Sequence, residues 1–496
     1  MLDWKIVKRV LFGKGPPLPN VIQDEVEELY PEGLTMGTLM IGRQGTGKTS
    51  SLARHIVDYF TTYKDRAIFV LDWSGSISEN ILKLIMQKPG EIRDKLLQKV
   101  VYDELGNPNW IIPLPEFSEI YGSTYEDQVQ RVSINFTKLA PELVAEAPFL
   151  AGLGLREIAP QICRVLTAIT DENNETWQIT EAKKLLVDAP LLRRALNSFG
   201  HKVPEAKWFL EKVLLPLRPA ERELRSYAFM ALLGTIEPKA TRARVGYNRP
   251  GWTPKEAIEK GLLVLVDGSR LINQRNTQHY LFTQSYSLIM SEINKRQPGN
   301  PKDKPVALVM DEVYSLLSIP GMAEEVGMLS PLYRSRKLEL YVVLQALAQL
   351  APTLKRQIWN IGNIISFGVS SFDEAYEIAQ QLIIYEPMAI KMPAKSDNSQ
   401  PITEPDRGQY LSIANKIQRM NHRELIMRRY ISEKVQDKYV RYVPKTKENP
   451  NIPLDVSVIE IKERLLMERG VRVKDALEVI NQRKLTLNNK KKPPTV

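Results

Sequence analysis

The sequence predicts an α/β chain: a mainly parallel sheet flanked by helices, with an all-helical stretch inserted into it. Three observations carry that expectation. Apolar runs of strand length recur at 34–41, 67–72, 261–267, 306–311, 340–345 and 364–369, several of them followed by helical spacing. The first leads straight into Gly42-Arg-Gln-Gly-Thr-Gly-Lys-Thr49, a glycine-rich turn that opens a helix. Between about 116 and 245 the strand-like runs stop, and apolar residues recur at spacings of three and four.

Taken in order, residues 1–33 are too short for a domain of their own, and Gly13-Lys-Gly-Pro-Pro-Leu-Pro reads as a turn or extended segment. Leu34 to Ile41 reads as a buried strand. Leu52, Ile56, Val57 and Phe60 lie at helical spacing behind the turn. Between strand and helix the pattern is G-x-x-x-x-G-K-[ST], the P-loop. Its glycines let the backbone bend so that successive N–H groups face an anion, and the helix N-terminus adds its positive end. Gly42, Arg43, Gln44, Gly45, Thr46, Gly47, Lys48, Thr49 and Ser50 are therefore expected to cradle the phosphates of ATP. Lys48 would reach the β- and γ-phosphates, and the Thr49 hydroxyl would hold Mg²⁺.

Ala67 to Asp72 is a second buried strand ending in an acid. Asp72 either meets Mg²⁺ or its water, or caps the helix that follows; the residues alone leave both open. Residues 76–98 read as helical, and Val100 to Asp103 as a short strand. The proline-rich 108–115 marks a boundary. Within the helical stretch, Thr180 is expected to cap a helix. Gly261 to Asp267 is again a buried strand ending in an acid, followed by a helix near 277–295.

Val306 to Asp311 is an apolar strand that ends on Asp311-Glu312. Paired with a P-loop, that ending has a chemical use. Asp311 would hold Mg²⁺ through water. Glu312 would orient or deprotonate the attacking water as general base. Gln345 ends the next apolar strand, where a polar residue suits a sensor bonded to the γ-phosphate or the lytic water. Just upstream lies the cluster Arg334-Ser-Arg-Lys337, either a solvated face or the source of an arginine finger. After the strand 364–369, helical texture runs to Leu382, 394–405 reads as a polar loop and 407–445 as mixed. Two helices near 456–469 and 473–483 precede a basic end, Lys490-Lys-Lys-Pro-Pro-Thr-Val, expected to be disordered.

Composition narrows the class. No stretch approaches the ~18 apolar residues of a membrane span, and Met1-Leu-Asp-Trp-Lys-Ile does not open a secretion signal. One cysteine, Cys163, excludes an internal disulfide and fits a cytoplasmic location. Four scattered histidines offer no metal cluster. A net charge of +10 suits a polyanionic partner, though it also serves solubility.

The order of these parts resembles the FtsK/HerA superfamily of DNA-pumping ATPases, and most of all the TraD/TraG-like coupling proteins of type IV secretion. Val309-Met-Asp-Glu-Val-Tyr-Ser-Leu-Leu317, Arg334 through Leu350 and Asn363 through Ala375 carry the likeness. The family places an arginine eleven residues before the sensor glutamine, which falls here on Arg334, with Arg336 as runner-up. The resemblance implies a RecA-like P-loop ATPase core in two parts, 1–115 and 251–445, an all-α insertion at 116–250 and a tail at 446–496. It also implies a homohexameric ring, nucleotide between subunits, Arg334 reaching a neighbour's site, and DNA passing through the pore. The membrane helices usual in coupling proteins are not found, so a motor recruited by another protein, soluble or membrane-bound, is expected. Two further readings share the core: a ring ATPase for protein secretion or assembly, and a DNA-bound nucleotide switch. Glu312 argues against the switch, which needs no base.

Overall fold

The computed structural model describes residues 21–23, 37–63, 65–143, 148–171, 175–317, 319, 322, 325–326, 334–350, 352–383, 390–391, 402–403, 406–430, 438–443 and 456–483. The basic end at 490–496 lies outside them, as do most of 1–33 and, apart from Ile402 and Thr403, which form a short strand, the polar loop at 394–405.

The strands in chain order are β1 (Val21–Gln23), β2 (Thr38–Ile41), β3 (Ala67–Asp72), β4 (Val100–Glu104), β5 (Trp110–Ile111), β6 (Leu263–Asp267) and β7 (Val306–Asp311). They continue as β8 (Leu338–Leu344), β9 (Asn363–Phe367), β10 (Ile390–Lys391), β11 (Ile402–Thr403), β12 (Leu425–Tyr430), β13 (Lys438–Val443) and β14 (Val471–Arg472). Ten of them form one sheet in the order β1-β13-β12-β9-β2-β8-β7-β3-β6-β4. From β9 to β4 every neighbour is parallel. Each of these strands is buried along its whole length, because helices cover both faces of a parallel sheet. The architecture is that of a RecA-like P-loop ATPase core with an added all-helical part.

At one edge the parallel rule breaks. β12 runs antiparallel to both β9 and β13. Leu425, Ile426 and Met427 are buried there, just ahead of Arg428 and Arg429.

Between β5 and β6 the chain is helical, with long helices at Tyr125–Leu143, Pro148–Ala168 and Pro219–Thr235. Phe136 joins this part to the core, its ring 5.6 Å from Phe229 and 6.1 Å from Tyr280 on the helix Arg275–Asn294. Buried Glu116 accepts from Tyr280 Oη (2.6 Å) and from Arg131 Nη1 (2.9 Å), so each of its oxygens is satisfied. The helix start near 180 is capped differently from expectation. Gln178 and Glu181 form a reciprocal capping box, while Thr180 Oγ1 donates to Glu181 Oε2 at 3.0 Å. An amide reaching the third backbone N–H leaves Thr180 already inside the first turn.

The last segment straps the two parts together. The helix Val456–Arg469 packs against β4, β14 pairs with β5, and the helix Val473–Gln482 packs on Lys239–Gly246. Arg483 ends it in a fully buried ion pair with Glu181 at 3.5 Å.

Beneath the sheet, at the start of β8, Glu339 is 2% exposed. It accepts from Tyr59 Oη at 2.7 Å, and Arg66 lies 3.6 Å away. Burial raises its carboxyl to about 7, from 4.5. The folded chain therefore keeps this proton in a pH window where the unfolded chain has released it. Stability falls as pH rises through that window, by up to ~3 kcal/mol from this group. Urea denaturation at pH 5 and 7.5 should show a smaller loss of stability for Glu339→Gln than for the wild type.

Candidate nucleotide site

Lys48 opens the helix Lys48–Thr62, whose N-cap is Gly47 at φ +95°. A side chain at Gly47 would be strained by that angle and would meet Arg423 Cγ at 2.9 Å. Gly42 lies so close to Phe367 that a Cβ would approach it to 2.6 Å. The loop is pinned at its start, where Gly42 N donates to Leu344 O (3.3 Å) and Arg43 N to Gly368 O (2.9 Å). Inside it, Thr46 Oγ1 donates to Arg43 O at 2.8 Å, and Lys48 Nζ donates to Gly42 O and, at 2.9 Å, to Arg43 O.

Register brings the acids to the loop. Asp311 pairs with Asp72 across β7 and β3, Asp72 with Asp267 across β3 and β6, and Glu104 with Asp267 across β4 and β6. All four are buried. Three are satisfied by the protein. Glu104 takes Arg270 at 2.9 Å. Asp267 takes Tyr102 Oη at 2.7 Å and Ser269 N at 2.9 Å. Asp72 takes Gly75 N at 2.8 Å and Ser78 N at 2.7 Å. Of the two uses open to Asp72, the structure therefore shows the cap: it closes the first turn of the helix Ser76–Met86. Burial and Asp267 still raise its carboxyl to about 6.

Asp311 differs. Its backbone partner is the N–H of Glu312, and Lys48 acts on it through charge. Burial, Asp72 and Glu312 push its carboxyl up to about 7. Burial lowers the Lys48 ammonium, against the pull of Asp311 and Glu312. Asp311 is thus a buried carboxyl crowded by two acids and opposed by one lysine. A hydroxyl at Thr49 and a carboxylate at Asp311 are hard oxygen donors, and so fit Mg²⁺.

Glu312 follows at φ +48°, in the left-handed region rarely held by a side chain other than glycine. Its Oε1 accepts from Gln345 Nε2 at 3.0 Å. Only the amide nitrogen can donate to a carboxylate, so the amide's orientation is fixed. Gln345 lies one residue beyond β8, not on it. Its loop is held by Glu374, whose Oε1 accepts from Leu347 N.

Arg334 is not brought to this site. It opens a short 3₁₀ turn, Arg334–Arg336, before β8, whereas Gln345 follows β8. Seven strand residues separate the two ends, roughly 23 Å at ~3.3 Å per residue. Arg336 stays on that far side, donating from Nη1 to Asn294 Oδ1.

Two residues on the near side went unread in the sequence. Arg423 N donates to Thr46 O at 2.9 Å, and His422 Nδ1 lies 2.5 Å from Gly45 O. Their signal is a polar turn, Asn421-His-Arg-Glu424, just before a strand, and only the strand order carries that turn to the loop.

With this geometry in view, the likeness can be placed. The unbound monoclinic form of the bacterial conjugative coupling protein TrwBdeltaN70 superposes with a TM-score of 0.55 at 15% identity, covering 84% of this chain and 87% of that one. This chain has the coupling-protein fold. The trigonal form of TrwBdeltaN70 with sulphate gives 0.53 at 13% identity, over 83% and 84%. TrwB in complex with the non-hydrolysable GTP analogue GDPNP gives 0.51 at 14%, over 84% and 88%. No family model matches the chain, and no curated protein sequence matches it. The coupling-protein fold thus rests on shape, while the side chains of the site rest on the contacts above.

Asp72 as a cap has a measurable consequence. Asp72→Ala strands two buried N–H groups and should cost ~1–3 kcal/mol in urea denaturation. The affinity of the folded protein for nucleotide should stay near that of the wild type.

Proposed function

We infer that the chain is an ATP-driven DNA translocase that works as a homohexameric ring. The observation that carries this is the Gln345–Glu312 contact next to Asp311 and Lys48. A nucleotide-binding switch needs the cradle alone; here an acid is strained, aimed and held beside it. The likeness in fold to conjugative coupling proteins, one of them solved with a GTP analogue, supports this reading.

In this reading Gly42 to Ser50 bind the triphosphate through backbone N–H groups, and Lys48 leaves its loop carbonyls for the phosphates. Thr49 and Asp311 would hold Mg²⁺, which neutralises phosphate charge. Glu312 accepts the proton of the attacking water. Gln345 keeps Glu312 aimed and marks the terminal phosphate. Arg334 precedes β8, at the end of that strand away from its own P-loop, which supports its action in a neighbour's site and hence a ring. The helical stretch at 116–250 and the tail at 446–496 are assigned outside the two core parts. The net charge of +10 suits DNA as the partner. Among the described residues no helix is long and apolar enough to cross a membrane. A recruiting protein, cytoplasmic or membrane-bound, is part of the proposed reading.

The deciding experiment is the ATPase rate with single- and double-stranded DNA over a salt series. DNA should stimulate turnover, and the stimulation should fall steeply as salt rises. A rate that ignores DNA and responds to a protein partner instead would favour a secretion or assembly ATPase. Glu312→Gln should bind ATP yet lose turnover by about 10²-fold or more; normal turnover removes it as the base. Arg334→Ala should keep nucleotide affinity and lose about 10³-fold in the assembled ring. Unchanged hydrolysis rules out the finger.

A further inference from the structure

A P-loop can hold phosphate only while its N–H groups face inward, which turns its carbonyls outward. Each outward carbonyl then needs a donor from elsewhere. Arg43 O has two, from Thr46 Oγ1 and Lys48 Nζ. Two further loop carbonyls, Gly45 O and Thr46 O, are met by one turn far along the chain. Arg423 N donates to Thr46 O at 2.9 Å, and His422 Nδ1 is 2.5 Å from Gly45 O. A carbonyl only accepts, so Nδ1 carries the proton and the tautomer is set.

The turn is built to hold that pose. Arg423 sits at φ +68°, a left-handed conformation that directs its N–H at the loop. Asn421 and Glu424 tie the turn's ends together. Asn421 N donates to Glu424 Oε2 (3.0 Å), Asn421 Nδ2 to Glu424 Oε1 (3.1 Å) and Glu424 N to Asn421 O (3.2 Å). Arg43 Nη2 reaches back to Met420 O at 3.4 Å. Gly47 lacks the side chain that would collide with Arg423 Cγ. Loop and turn are shaped to each other from both sides.

We propose that the Asn421–Glu424 turn is a clamp that keeps the P-loop in its phosphate-receiving form, with His422 as a positioning residue for nucleotide binding. The clamp lies on the β9–β12 flank of β2, whereas Asp311, Glu312 and Gln345 lie on the β8–β7 flank. It therefore acts on how tightly nucleotide is held and not on how fast it is split. The proposal rests on the nucleotide-binding reading above, and its test separates the two.

The test titrates the full-length protein with a fluorescent ATP analogue and Mg²⁺, alongside steady-state ATPase kinetics. His422→Asn puts an amide N–H where Nδ1–H was; His422→Gln puts it one bond further out. His422→Ala and His422→Gln should raise Kd and KM about three- to tenfold, with kcat within about twofold of wild type. His422→Asn should stay within about twofold of wild type on all three. Melting without nucleotide separates folding from binding, and a fold defect shared by Asn and Gln cancels in their comparison. The clamp is overturned if His422→Ala binds as wild type does, if Asn is as weak as Gln, or if the loss falls on kcat alone. Lys48→Ala is the control for the reading beneath it. Wild-type affinity in Lys48→Ala, or none in the wild type, overturns both. Loss in Lys48→Ala with wild-type affinity in His422→Ala overturns the clamp alone.

Discussion

Four carboxylates lie side by side at the carboxyl ends of β4, β6, β3 and β7, and all four are buried. A parallel sheet makes this unavoidable once each strand ends in an acid, because register aligns the ends. Burial makes each charge costly, and proximity makes each worsen the next. The molecule resolves three of the four internally, with a guanidinium, a phenol and a pair of helix-start amides. The fourth, Asp311, stands nearest the P-loop, where it has the N–H of Glu312 and the charge of Lys48.

The P-loop divides the sheet's upper edge in two. Toward β8 and β7 lie Asp311, Glu312 and Gln345. Toward β9 and β12 lie the groups that shape the loop itself: Phe367 against Gly42, Gly368 O against Arg43 N, and the His422–Arg423 turn. Strand order alone enforces the split. β12 enters antiparallel, so its start, and not its end, arrives at the P-loop edge. A parallel strand there would have delivered its carboxyl end and the helix beyond it.

Much of this was legible in the residues. Ala67–Asp72 and Val306–Asp311 read off directly, since full burial demands an unbroken apolar run and the acid ends it. The strand, glycine-rich turn and helix around 42–49 were legible because the apolar run, the glycines at positive φ and the helical spacing are all written in residue type. Three things were not legible, each for a physical reason. The cap at Gln178 escaped because an amide rarely leads a capping box, and Thr180 offered the commoner signal. β12 was masked by Arg428 and Arg429 at its far end. The use of Asp72 stayed open because a strand-end acid serves a metal or a helix equally well, and only the 2.7 Å contact with Ser78 N decides. The His422–Arg423 turn left least trace: half of its chemistry is main-chain, which no residue type announces.

The far side of β8 has its own logic. The 3₁₀ turn at Arg334–Arg336 is fastened to the loop after the helix Arg275–Asn294, with Gly299 N donating to Ser335 O at 2.7 Å and Val306 N to Lys337 O at 2.9 Å. Arg336 is drawn into the same structure through Asn294, and Arg296 Nη1 donates to its carbonyl at 3.1 Å. One strand therefore ties two remote places. At its end, Gln345 meets Glu312; at its start stands Arg334. Hydrogen bonding to β2 on one side and β7 on the other fixes β8 in register, so the separation of these two places is set by the sheet itself.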